Sequence, residues 1–167
     1  MGMIANYQQI TNQELEKLES NEALFEIIEE LQENENLEIC DIDKMWDALH
    51  CLLTGKSASE PIENNEISEA IVGQFNISEQ KIEEFISGTR ANRVKDIAKA
   101  LQEINIEPYL EKFSMKEFAK KEIYPCIWEH EEEADEILEE LRECFENLKE
   151  FYQKMEEQNS AVLVSIY

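Results

Sequence analysis

"SAVLVSIY", residues 160–167, is the stretch on which the fold turns. Its Val, Leu, Val, Ile and Tyr are strand formers in a chain otherwise rich in helix formers. An apolar β-prone run left unpaired would template aggregation, so it needs a partner strand within the chain. The β-tolerant opening, "GMIANYQQI" at residues 2–10, supplies the candidate. Pairing the first strand with the last closes residues 1–167 into one domain. Between them breakers are scarce, with four glycines and three prolines in 167 residues, so helix should dominate. The expectation is an α+β fold: a mostly helical single domain with a small sheet that includes the N-terminal and C-terminal strands.

Working inward, Thr11 with Glu14 forms a capping-box pattern ahead of Leu15 and Leu18. Asn21 is placed to cap a second helix with the stripe Leu24, Ile27, Ile28 and Leu31. "TGKSASEPIENNE", residues 54–66, reads as a surface loop, and "AIVGQF", residues 70–75, as a short internal strand. Ser78 then precedes an expected helix "EQKIEEFIS" (79–87) stopped by Gly88, followed by a helical stripe of Val94, Ile97, Ala98, Leu101 and Ile104. Ser114 and Glu117 make another capping box, and "EIYPCIW" (122–128) interrupts. The last helix, about Glu131 to Glu157, carries a long apolar side from Ala134 to Met155. That spacing serves the chain's own core and also fits heptads, so a homodimer through this helix is an open reading.

The stretch "CDIDKMWDALHCLLTG", residues 40–55, holds the candidate chemistry. At about 100° per residue, Ile42, Met45, Trp46, Leu49, Leu52 and Leu53 share one arc, and Gly55 ends the helix. Asp43, Asp47 and His50 flank that arc as a polar stripe. Asp47 and His50 stand three apart and can touch, which is the beginning of a general-base pair, with Asp43 as a further candidate. The plainer reading is a boundary histidine bonded to a helix neighbour, with Asp41 or Asp43 as N-cap. No nucleophile-elbow motif or third partner accompanies the histidine, so an enzyme is the less favoured expectation.

Net charge bounds the partners. Thirty-nine acidic against fifteen basic residues leave a formal charge of −24. Such a field repels phosphates and anionic lipid, so neither nucleic acid nor membrane is expected as a partner, while a basic protein is. No HExxH, calcium-loop or glycine-rich phosphate motif occurs, and neither a metal nor a cofactor is expected. Cys40, Cys51, Cys126 and Cys144 are scattered without a CxxC pair, and with no secretory leader the expected compartment is the reducing cytoplasm. The scarce cations gather between Arg90 and Lys121, either to complement the acidic helices or to form an anion-binding patch.

In order along the chain, "MGMI", "DIDKMWDALHCLLTG", "EAIVG", "RVKDIAKAL", "EIYPCIW" and "NSAVLVSIY" resemble the YfbM-like family of small bacterial proteins of unknown function. Asp43, Lys44, Trp46, Leu49, His50 and "LLTG" carry the resemblance most specifically, together with Ile123, Tyr124, Pro125, Ile127 and Trp128. Residues 76–89 depart from the family pattern. The resemblance implies an α+β single domain in the bacterial cytosol and no particular reaction. It directs attention to Trp46, Tyr124 and Trp128 as binding candidates that could meet His50 at one cleft or simply pack. The leading expectation is an uncharacterised cytosolic binding module, of inhibitor, immunity or regulatory type, that engages a basic protein. The alternative is a small enzyme or ligand-binding protein with a site around His50, Asp47 and Trp46.

Overall fold

The computed structural model describes residues 2–20, 24–78 and 85–167. In chain order it runs β1 (Ala5–Ile10), α1 (Asn12–Ser20), α2 (Leu24–Gln32), β2 (Ile39–Asp41), α3 (Trp46–Thr54) and α4 (Glu66–Val72). It continues with β3 (Phe75–Asn76), β4 (Phe85–Thr89), α5 (Ala91–Glu103), α6 (Glu107–Glu111), α7 (Met115–Lys120), α8 (Ala134–Glu157) and β5 (Ala161–Ile166). Single 3₁₀ turns at Asp43–Met45 and Glu131–Glu133 lead into α3 and α8.

The first and last strands pair as expected, antiparallel from Ala5 opposite Ile166 to Ile10 opposite Ala161. β5 is the central strand of a five-stranded sheet of order β2-β1-β5-β4-β3, and every residue of it is buried. That burial explains its nearly unbroken apolar run, because both faces are covered. Val162, Val164 and Ile166 meet the larger core, shared with Leu49, Ile97, Phe145 and Tyr152. Ala161 and Leu163 face a smaller one built from Leu15, Leu18, Ile28, Leu31 and Ile86. The domain is therefore α+β with helices on both faces of the sheet.

Local signals hold where side chains complete a helix end. The Glu14 N–H donates to Thr11 Oγ1 at 3.1 Å and the Glu117 N–H to Ser114 Oγ at 3.2 Å. Gly55 takes φ +82° and closes α3 with a bond to the Cys51 carbonyl. In α8 the inner side, Ile137 through Met155, is buried in the chain's own core. Asn21 lies outside the described residues.

Two expectations fail between residues 70 and 89. Ala70–Val72 is helical, not extended, because Asn65 caps α4 by accepting from the Ser68 N–H at 2.9 Å and the apolar residues that follow are buried. Of "AIVGQF" only Phe75 enters a strand, Phe75–Asn76. The expected helix 79–87 is contradicted at its C-terminal end, where Phe85–Thr89 pairs with β5 on one side and β3 on the other; residues 79–84 lie outside the described part. Gly88 stops no helix. A Cβ there would stand 2.6 Å from Leu15 Cδ1, so it is the close approach of α1 to the sheet that requires glycine.

Candidate functional site

α3 brings Trp46, Asp47 and His50 to the place where the 55–65 loop folds back on the helix. Asp47 is 4 % exposed, and its carboxylate is fully occupied. Oδ1 accepts from the Ala58 N–H at 2.7 Å and the Ser57 hydroxyl at 2.9 Å, and Oδ2 from the Tyr124 N–H at 2.8 Å. One carboxylate thus ties α3 to two loops that are remote in sequence.

His50 is wholly buried and makes no hydrogen bond to Asp47. Its Nδ1 lies 2.7 Å from the Lys56 carbonyl, which can only accept, so Nδ1 carries the proton. Nε2, 2.8 Å from Ser68 Oγ, is then the acceptor and the serine hydroxyl the donor. Ser68 Oγ in turn accepts from the Ile62 N–H at 2.9 Å. Burial lowers the His50 pKa below its ordinary value, against weaker upward pulls from the Lys56 carbonyl bond and the Asp47 charge. At neutral pH the imidazole is neutral.

A cleft of about 1190 Å³ opens beside this network, its wall including Trp46, Asp47, Ser68, Phe75, Arg90 and Arg93. The guanidinium of Arg93 contacts Glu69 at 2.5 Å and reaches Glu66 and Asp96 at 3.4 Å, and hydrogen bonding to Glu69 raises its pKa. Arg90 pairs with Glu19 at 2.9 Å and lies 4.7 Å over the Phe75 ring. Both arginines of the expected basic region therefore face acidic partners from other elements.

The remaining candidates separate. Trp46 stacks on Tyr124 with centroids 5.3 Å apart, and the pair grips the N-terminal backbone: Trp46 Nε1–H donates to the Met3 carbonyl at 3.0 Å, and the Met3 N–H donates to the Tyr124 hydroxyl at 2.6 Å. Trp128 is buried elsewhere, edge-on to Phe118 at 5.1 Å and donating to the Ile123 carbonyl at 2.6 Å. Asp43 is exposed at φ +51°, and its own N–H donates to Asp41 Oδ1 at 2.6 Å in an Asx turn; neither aspartate is the expected N-cap, because Ile42 precedes the 3₁₀ turn and Met45 precedes α3, both without a side-chain cap. Trp46 and Asp47 thus share the cleft wall, His50 stands one residue behind it, Tyr124 backs Trp46, and Trp128 and Asp43 are not part of that wall.

Sequence reasoning missed Ser68, the residue between His50 and the cleft. Its signal was the N-cap pattern Asn65-x-x-Ser68, which positions that serine in the first turn of α4.

This geometry sits on a known scaffold. The model of a family described as "Domain of unknown function (DUF1877)" matches residues 1–165. The chain belongs to this family. It is 29% identical to "Protein YfbM" of Escherichia coli (strain K12) over 168 residues, covering 99% of each chain. It is likewise similar to the crystal structure of YfbM from Escherichia coli, titled a protein of unknown function, at a TM-score of 0.81 and 26% identity across 98% of this chain and 99% of that one. The YfbM-like resemblance of the motifs is thereby borne out, and the DUF1877 fold comes with no assigned reaction. Among the described residues no helix is long and apolar enough to cross a membrane.

Proposed function

We propose that this DUF1877 protein is a cytoplasmic bacterial binding module that engages a basic protein through the outer side of α8. The supporting observation is a stripe of exposed carboxylates, Glu136, Glu139, Glu143, Glu146 and Glu150, at helical spacing along about 20 Å of that side. Among the described residues Arg142 pairs with Glu139 and Lys154 with Glu150, while Glu136, Glu143 and Glu146 have no cationic partner. The apolar side of α8 is consumed by the core, so a second copy docking here would meet like charge. Burial raises the pKa of Glu140, and the neighbouring Asp43 and Glu143 charges add to it, a smaller repulsion among the acids of this surface. A cationic partner would relieve it and would be steered to it at low ionic strength. Four unpaired cysteines favour a reducing compartment.

The test is affinity capture at low salt, followed by binding of each purified candidate to the intact protein and to E143K/E146K. The expected result is one basic partner whose affinity falls steeply with salt and at least tenfold in the double variant. Binding that ignores both salt and the two substitutions would overturn the proposal.

A second reading is supported by the cleft, whose size and mixed apolar and polar wall suit a small ligand. Trp46 and Asp47, two of the residues the sequence singles out, line it and support this reading. A ligand there would perturb the Trp46 indole N–H resonance, and a panel of small metabolites that leaves that resonance unmoved would remove this reading.

A further inference from the structure

We propose that Ser68 is a nucleophile activated by His50, and that the cleft accepts a small carboxylic ester whose acyl group is transferred to Ser68 and then to water. The inference rests on the cleft reading and adds a reaction to it. Three groups in line carry it: the Lys56 carbonyl 2.7 Å from His50 Nδ1, His50 Nε2 2.8 Å from Ser68 Oγ, and Ser68 in the wall of the cleft. A carbonyl that can only accept fixes the tautomer, leaving Nε2 free to take the serine proton. This is the order of roles that general-base activation of a hydroxyl requires, with a backbone carbonyl as the orienting third member.

In the first half-reaction Ser68 Oγ bonds to the ester carbonyl carbon as its proton passes to Nε2. The tetrahedral adduct collapses by breaking the bond to the alkoxy oxygen, and the departing alcohol takes the proton from Nε2. Water then adds to the acyl-serine, giving one proton to Nε2. When the carboxylic acid leaves, that proton returns to Ser68 Oγ. Ester and water are the only reactants consumed.

Ser68 is 0 % exposed, covered by the loop whose Ile62 N–H donates to Oγ. Reaction therefore requires the Ile62 end of that loop to lift its N–H from the oxygen while the Lys56 carbonyl stays on His50 Nδ1. Nothing comparable surrounds His130, which is exposed and faces Glu132 at 3.5 Å.

Diisopropyl fluorophosphate is the direct probe, because it phosphorylates an activated serine and displaces fluoride. The full chain at pH 8 should gain one adduct, mapped by peptide mass spectrometry to Ser68. In H50Q, which retains a hydrogen-bonding side chain, labelling should slow at least 100-fold while urea unfolding shows a folded protein. S68A should show no adduct there. No adduct on Ser68 in the folded wild-type chain, or one formed as fast in H50Q, would overturn the proposal and leave the serine as a structural tie between loop and helix. The Trp46 indole resonance, followed with a non-hydrolysable ester analogue, separates the two ideas: a shift without labelling keeps the ligand cleft and removes the reaction.

Discussion

The inner edge of α3 and the outer side of α8 are both acidic, yet their carboxylates live in opposite circumstances. Asp47 alone holds three donors from two distant loops at 2.7–2.9 Å in a nearly dry setting. Along α8, Glu136, Glu143 and Glu146 face water with no cation beside them among the described residues. What separates them is the supply of partners. A buried carboxylate persists only where donors replace its water, so it becomes a structural knot, whereas an exposed row stays available to something outside the molecule. The charge of −24 says nothing about which acid does which.

Asp47→Ala should break the contrast most severely. It strands the Ala58 and Tyr124 N–H groups in a buried setting and should cost about 3 kcal/mol or more in urea unfolding. A loss below about 1 kcal/mol would mean that the knot is not where the loops are fastened. Next, Arg93→Ala leaves Glu69 largely buried without its guanidinium and should cost about 2 kcal/mol, less than a fully buried pair because the arginine retains some solvent contact.

A titration sharpens the comparison on the α3 side. The folded-state pKa of His50 lies below its unfolded value, so the unfolded chain binds the proton first as pH falls. Stability from this group is full above about pH 6.5 and declines as pH drops from there through the lowered folded-state pKa. The urea midpoint should therefore fall over that window in the wild type and less in H50Q; parallel curves would refute the assignment. Smallest of all, Glu143→Gln or Glu146→Gln on α8 should move stability by no more than about 0.5 kcal/mol in either direction.

Legibility follows the same division between local and remote partners. The strands at both ends, the Thr11 and Ser114 caps, the stop at Gly55 and the inner side of α8 are written in neighbouring residues, and all appear where the sequence places them. The segment 85–87 reads as the end of a helix because Phe85 and Ile86 extend a run of helix formers. It is a strand because β5 offers an unpaired edge that no local pattern reveals. At the site, Trp46, Asp47 and His50 are legible as members of one helix, but their bonding is not. Spacing of three suggested a His50–Asp47 pair, whereas the return of the 55–65 loop gives each a separate set of partners. Ser68, eighteen residues beyond His50, enters only through that return.

The placement of β5 has a consequence for how the molecule comes into being. The segment that bridges β1 to β4 is the last part of the sheet to leave a ribosome, so until residues 161–166 emerge the two older parts of the sheet lack their common neighbour and both cores lack a wall. Assembly must wait for contacts between strands at opposite ends of the domain, which favours slow completion of the fold and leaves the earlier strands open to chaperones until β5 arrives.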